Sequence, residues 1–242
     1  MGGIFRSFWP HIVSVVVVLW LWDTPVVKPF RVFMVMIHEL CHGAAAIVTG
    51  GEVVEVRTHW GESGRTLTRG GIFPVISAAG YVGSAFLGAF IIYAGSWGLL
   101  QRAILAGVGC VTLGMTLMYT PAMGVDFAVG SVSGVLLLMV AVRSERLTRW
   151  IAAWLGVMLC LYSLYDFRTD LWMQPEQTDA GILARHWGIQ MLTYPIAFVW
   201  VILSVLAMVL AMRSVVRRGM KRTDEMRTRE NKSEPQIDTD EH

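Results

Sequence analysis

The feature that most constrains this chain is a long stretch that is almost free of charge. Between Ile72 and Val125, the only charged residue is Arg102. The whole chain of 242 residues is 55% hydrophobic and only 16% charged, whereas soluble domains carry about 25% charged residues. A net charge of +2 and this composition fit neither a disordered chain nor a nucleic-acid-binding protein. The sequence therefore predicts an all-α polytopic membrane protein that is surrounded by the lipid bilayer and has no nucleic-acid partner.

Seven segments are predicted to cross the membrane, because a spanning helix needs about 20 mostly apolar residues. The first covers residues 9–22 and extends towards 27, and it lacks a small-residue cleavage site, which favours a retained anchor. The other six are predicted at about 29–48, 72–94, 99–119, 125–142, 150–165 and 191–212. Together, residues 1–212 are interpreted as one transmembrane domain.

Three polar segments lie outside these helices. Residues 50–71 predict a short, membrane-associated β-hairpin, because valines and threonines flank a glycine-containing turn and glycine pairs bound the segment. Residues 166–190 form a second hydrophilic stretch between the sixth and seventh helices. Residues 213–242 mix both charges with few apolar side chains, which predicts a cytoplasmic tail with little structure.

The positions of lysine and arginine predict the orientation. Such residues concentrate on the cytoplasmic side of the membrane, and two clusters follow the fifth and seventh predicted helices: Arg143, Arg146 and Arg149, and Arg213, Arg217, Arg218, Lys221 and Arg222. Two helices separate the clusters, so both can face the cytoplasm. Seven helices then place the N-terminus and residues 50–71 and 166–190 outside.

An HExxH motif lies inside the second predicted helix, at His38, Glu39 and His42. Residues four apart share one helix face, so the two imidazoles can hold one Zn²⁺, with Glu39 as general base toward a water molecule. Ionisable groups at membrane depth are costly and indicate function. A hydrogen-bonded polar cluster, or a proton relay in a transporter, is the alternative interpretation of the same residues.

The residues around this motif resemble a known family. The segment HELCHGAAAIVTGGEVVEVRTHWGESGRTLTRGG, followed by SAAGYVGSAFLGA, is similar to the site-2 protease superfamily of intramembrane zinc metalloproteases, and in particular to a compact bacterial subgroup of peptidase-like membrane proteins. The resemblance implies that His38 and His42 bind zinc, that Glu39 is catalytic and that an aspartate from a later helix is the third ligand. It also implies membrane-protein substrates, a hairpin that presents substrate as an added strand, and a multi-pass protein of the bacterial cell membrane.

The third ligand is the least certain part of this comparison. The superfamily pattern of Asn-Pro with a following Leu-Asp-Gly is absent. Asp179 is the closest analogue, because it precedes a small residue and an apolar segment, and Asp166 and Asp126 are the alternatives. If Asp179 is the ligand, residues 166–190 must return to membrane depth, with a short re-entrant helix beginning near Asp179.

The sequence thus favours a zinc metalloendopeptidase that cleaves membrane-embedded or membrane-adjacent proteins. The alternative is a non-proteolytic membrane transporter or scaffold that retains the metallopeptidase fold, and the missing aspartate pattern is its main support.

Overall fold

The computed structural model describes residues 12–13, 16–17, 20–22, 24–95 and 97–233. Between residues 24 and 233 the chain is mostly helical, with one two-stranded sheet. The elements in chain order are α1 (Lys28–Val48), β1 (Glu52–Thr58), β2 (Gly64–Arg69), α2 (Phe73–Ala94), α3 (Gly98–Tyr119), α4 (Val125–Arg143), α5 (Glu145–Met173), α6 (Asp179–His186) and α7 (Thr193–Ser233). A short 3₁₀ turn, Gln190–Leu192, precedes α7.

Five of the described helices are long and apolar enough to cross a membrane: α1, α2, α3, α4 and α7. They correspond to the second, third, fourth, fifth and seventh predicted helices, so the prediction of an integral membrane protein is confirmed. The sixth predicted helix lies within α5, whose side chains are described only in part. Of residues 9–22, which the first predicted helix covers, half lie outside the described residues.

Helix α1 lies at the centre of the molecule. Its most apolar 18-residue window is 67% buried, whereas the corresponding window of α7 is 22% buried. The helix starts with a proline in its first turn, where the missing N–H costs nothing. Its neighbours include the hairpin, α2 and α4. The HExxH motif on α1 is therefore enclosed by protein, while α7 has the more open surface.

The predicted hairpin is confirmed. Strands β1 and β2 are antiparallel, and a register shift between Val53 and Glu55 marks a bulge. Because side chains alternate along a regular strand, residues three apart face opposite sides, and a bulge removes this constraint. Val53 and Val56 are consequently both buried, at 7% and 1% exposure. The bulge thus lets one face of the hairpin pack on the core beside α1.

The structure agrees with one expectation about the polar segments and corrects another. Helix α5 continues to Met173, and α6 begins at Asp179, where a short helix is predicted. Helix α7 continues to Ser233, whereas little structure was expected from residue 213. Extending an existing helix avoids the cost of nucleation, and lysine, arginine, glutamate and methionine are good helix formers. Residues 234–242 lie outside the described residues.

Contacts with the end of α2 hold the start of this extension. Arg218 donates a 3.0 Å hydrogen bond to the carbonyl of Tyr93. Its guanidinium also lies 4.0 Å from the centroid of the Tyr93 ring and 4.3 Å from that of Trp97, which is within the range of a cation–π interaction. The charged segment that follows the seventh predicted helix is therefore packed against the bundle at this point.

A candidate metal centre on helix α1

The HExxH residues lie on the buried middle of α1. His38, Glu39 and His42 are 8%, 6% and 7% exposed. Asp179 is the first residue of α6, which begins at this point because Thr178 caps it: the Thr178 hydroxyl accepts a 3.0 Å hydrogen bond from the N–H of Gly181. This cap satisfies one of the free N–H groups at the helix start. The cap also fixes the position of Asp179, whose side chain points toward α1.

Three potential ligand atoms form a nearly equilateral triangle. Nε2 of His38 lies 3.1 Å from Nε2 of His42, and Oδ2 of Asp179 lies 3.1 Å from the first and 3.2 Å from the second. Tetrahedral zinc ligands with bonds of about 2.0–2.1 Å are about 3.3–3.4 Å apart. Among the described residues, these three form the group of His, Cys, Asp and Glu side chains that can hold a metal ion. The spacing and donor types fit zinc.

The start of α2 supports both sides of this triangle. Nδ1 of His42 donates a 2.6 Å hydrogen bond to the carbonyl of Ile76, so the lone pair of Nε2 is left for a metal. The hydroxyl of Ser77 donates to the carbonyl of Asp179 at 2.9 Å. Two neighbouring residues of α2 therefore orient one imidazole and anchor the first residue of α6.

A glycine allows α2 to pass close to the two imidazoles. Gly80 lies in a π-helical turn of α2, Ala79–Gly83, and a Cβ at this position would overlap Nε2 of both His38 and His42. Such turns occur frequently at functional sites. The absence of a side chain at Gly80 therefore lets the α2 backbone lie beside both histidines.

The carboxyl group of Asp179 is held in its ionised form. Burial raises the pKa of this carboxyl, but the adjacent imidazoles of His42 and His38 lower it below its usual range. A carboxylate must be deprotonated to bind a metal. The electrostatics of the site thus favour the ligand form of Asp179.

Glu39 is placed differently from the three potential ligands. Its carboxylate faces the hairpin, where the Thr66 hydroxyl donates a 2.7 Å hydrogen bond to Oε2. Glu39 nonetheless lines the same cavity of about 410 Å³ as His38 and Asp179, together with Tyr81, Gln174 and Gln177. The Glu39 carboxylate and two of the three potential ligands, His38 and Asp179, therefore line one cavity.

The other sequence candidates lie elsewhere. Asp126 is buried at the start of α4, where it lies 3.7 Å from Arg57 of the hairpin, and it is not part of the triangle. Asp166 is within α5, and its side chain lies outside the described part of the structure. Although the chain lacks the Leu-Asp-Gly pattern of the superfamily, Asp179 places a carboxylate beside both histidines.

Sequence reasoning missed several supporting residues. Thr66, Ser77 and Gly80 all contact or adjoin the site, and although they lie in the segments that carry the family resemblance, nothing in the sequence singled them out as site residues. Gly80, with Gly83, Ser84 and Gly88, belongs to a run of small residues that usually indicates close helix packing. Its role at the histidines depends on the position of α2 relative to α1.

Comparison with known families gives one match. The family model described as Peptidase M50B-like matches the chain over residues 11–211. This range contains α1, the hairpin and α6, and thus every residue of the triangle. No curated protein and no solved structure matches the chain.

Proposed function

Because this chain belongs to the Peptidase M50B-like family, the family of the site-2 proteases, we propose that it is an intramembrane zinc metalloendopeptidase. The family indicates a membrane metallopeptidase. Our proposal adds that the metal is zinc and that the substrates are membrane-embedded or membrane-adjacent proteins.

The single observation that carries this proposal is that Glu39 lines the same cavity as His38 and Asp179, two members of the ligand triangle. His38, His42 and Asp179 would hold the metal, which leaves a fourth position for water or substrate, as in catalytic zinc sites. When bound, zinc supplies a Lewis acid that polarises a carbonyl and lowers the pKa of water to about 7.

Glu39 is the general base in this proposal. It takes a proton from the water that attacks the scissile carbonyl, and it then delivers that proton to the leaving amine. A carboxylate can serve both steps only if it stays beside the same atoms throughout. The buried position of Glu39 on a central helix meets this requirement.

The environment of the site suggests how substrate is bound. A peptide bond in a helix is hydrogen-bonded internally, so a transmembrane substrate must unwind before water can attack it. The exposed side chains of Gln174 and Gln177 at the cavity each offer a donor and an acceptor. We assign them to hydrogen bonds with the freed substrate backbone.

The membrane arrangement is part of the proposal. We propose seven spanning helices, in which α5 and a segment before α1 join the five candidate spans. The two arginine-rich clusters after α4 and within α7 then face the cytoplasm, and the hairpin and α6 approach the site from the other side. The resemblance to the compact bacterial subgroup suggests the bacterial cell membrane as the location.

The proposal is tested with detergent-purified protein, by metal analysis and by cleavage of fluorescently labelled casein as a generic unfolded substrate. We expect about one zinc per chain and cleavage by the wild type. Glu39→Gln should keep the zinc and lose cleavage, since this residue is a base and not a ligand. Glu52→Gln is the matched control, because that glutamate lies exposed on β1 and pairs with Arg69.

Two results would overturn the proposal. One is a wild-type preparation made without chelators that contains no transition metal. The other is a Glu39→Gln protein that cleaves casein as fast as the wild type. A metal-loaded protein without any cleavage would instead support the non-proteolytic transporter or scaffold.

A further inference from the structure

We propose that strand β2 of the hairpin orients the catalytic base, and that Thr66 is a positioning residue for Glu39. This inference rests on the proposed function, because Thr66 acts through the glutamate. It gives the hairpin a role within the catalytic machinery itself.

The first observation is a pair of contacts from one hydroxyl to one residue. Oγ1 of Thr66 lies 2.7 Å from Oε2 of Glu39 and 2.9 Å from the backbone carbonyl oxygen of Glu39. The two residues are 27 positions apart. The Thr66 hydroxyl therefore bridges the carboxylate of Glu39 and the backbone carbonyl of the same residue. This bridge limits rotation of the Glu39 side chain.

The second observation is the close approach of β2 to the same carboxylate at Gly64. A Cβ at Gly64 would lie 2.6 Å from Cγ and 2.7 Å from Cδ of Glu39. Real Cβ atoms do not come so close to other heavy atoms, so this position suits glycine. Gly64 and Thr66 thus bound the Glu39 carboxylate from two points of one strand.

The third observation is that Glu39 has few other constraints. It is 6% exposed, and no ion pair among the described residues includes it. A buried carboxylate requires hydrogen-bond partners. The Thr66 hydroxyl supplies one and leaves the remaining lone pairs of the carboxylate free for a water in the cavity.

The hairpin is held against α1 at more than one point, which allows it to fix the position of the Glu39 carboxylate. Its turn is tied to the first part of α1 by an ion pair of 3.1 Å between Arg31 and Glu62. The hairpin therefore contacts α1 at Arg31 and again at Glu39. Because a misplacement of about 1 Å in a catalytic group can cost about 10²-fold in rate, loss of the Thr66 contact should mainly lower kcat.

The test compares Thr66→Val with Thr66→Ser. Valine keeps the shape of threonine and removes the hydroxyl, while serine keeps the hydroxyl. Thr68→Val is the matched control, because Thr68 lies two residues along the same strand and pairs with Val53. Each protein is measured for zinc content, for kcat and KM with labelled casein, and for the infrared band of the Glu39 carboxylate.

We expect Thr66→Val to retain zinc and KM and to lose about 10- to 100-fold in kcat. Thr66→Ser should recover most of that loss, and Thr68→Val should match the wild type. Gly64→Ala should also lower kcat with zinc retained, because its Cβ would displace the same carboxylate.

The infrared measurement is independent of cleavage. The difference between each protein and its Glu39→Gln counterpart isolates the Glu39 band, which should shift in Thr66→Val and stay in place in Thr66→Ser. An unshifted Glu39 band in Thr66→Val would overturn the inference. If the wild type is active, a Thr66→Val protein with the same kcat would overturn it as well. Loss of zinc in Thr66→Val would also overturn it, in favour of a purely structural contact. An inactive wild type would count against the proposed function alone.

Discussion

Oδ2 of Asp179 lies 3.1 Å from Nε2 of His38, although 141 residues separate the two in the chain. The contact forms because α6 begins at Asp179 and the start of α2 holds that residue through Ser77. The site is thus assembled from residues that are far apart in the chain. Its geometry depends on correct packing of the helices in between.

Replacing either histidine of the triangle should remove the metal. His38→Ala or His42→Ala leaves two ligands, whereas a catalytic zinc needs three, so we expect zinc content to fall from about one per chain to near zero. Elemental analysis of purified protein measures this. His59→Ala is the control, because His59 lies exposed near the hairpin turn and should retain full zinc. Equal zinc in all three variants would contradict the assignment.

Asp179→Ala should weaken zinc binding while the histidines remain. Removing a residue that only hydrogen-bonds to a metal ligand typically lowers metal affinity 10- to 100-fold. Removing a ligand itself should lower the affinity more, so we expect a decrease of at least about 100-fold. Competition with a chromogenic chelator gives the affinity. Asp126→Asn should bind zinc like the wild type, since that residue pairs with Arg57. Normal affinity in Asp179→Ala would transfer the role to Asp166 or Asp126.

Gly80→Ala should also impair the metal centre without changing a ligand. The added methyl group would overlap Nε2 of both histidines, so the imidazoles must move. We expect reduced zinc affinity and lost cleavage in a protein that still folds, as measured by metal titration and circular dichroism. Gly83→Ala is a control within the same π-helical turn, because its Cβ would meet Cys41 Cβ at an ordinary 3.4 Å. Similar behaviour of the two variants would argue against a special role for Gly80.

The orientation of the membrane domain can be tested by cysteine labelling. In a cysteine-free background, Met220→Cys on the α7 extension should be protected from an impermeant maleimide in intact cells, while Glu52→Cys at the start of β1, just after the outer end of α1, should react. Both original side chains are exposed, so differences in labelling report the side of the membrane. Labelling of position 220 from outside would reverse the topology.

The residues that could be predicted from the sequence are those whose relationship is local. His38 and His42 share a helix face because they are four positions apart, and the glycine pairs and valines of residues 50–71 indicate a hairpin on their own. Asp179 was found through a family resemblance and through the apolar residues that follow it. Each of these inferences needed only a short segment of chain.

The positions that sequence reasoning missed depend on packing between segments. Thr66 reaches Glu39 only because the bulge in β1 lets the hairpin lie on α1. Gly80 faces the histidines only because α2 contains a π-helical turn at that depth. The prediction for the charged residues after 213 is wrong for a related reason. Their composition indicates little structure, but α7 extends through them to Ser233 and Arg218 packs on the end of α2.

The length of α7 has a consequence for the outline of the molecule. A helix of 41 residues is about 62 Å long at about 1.5 Å per residue, roughly twice the thickness of the hydrocarbon layer, which is about 30 Å. Thr193 and Ser233 therefore cannot both lie in lipid. In the proposed topology, the carboxyl-terminal half of α7 extends beyond the bilayer as a charged helix, with its far end about 30 Å from the apolar layer.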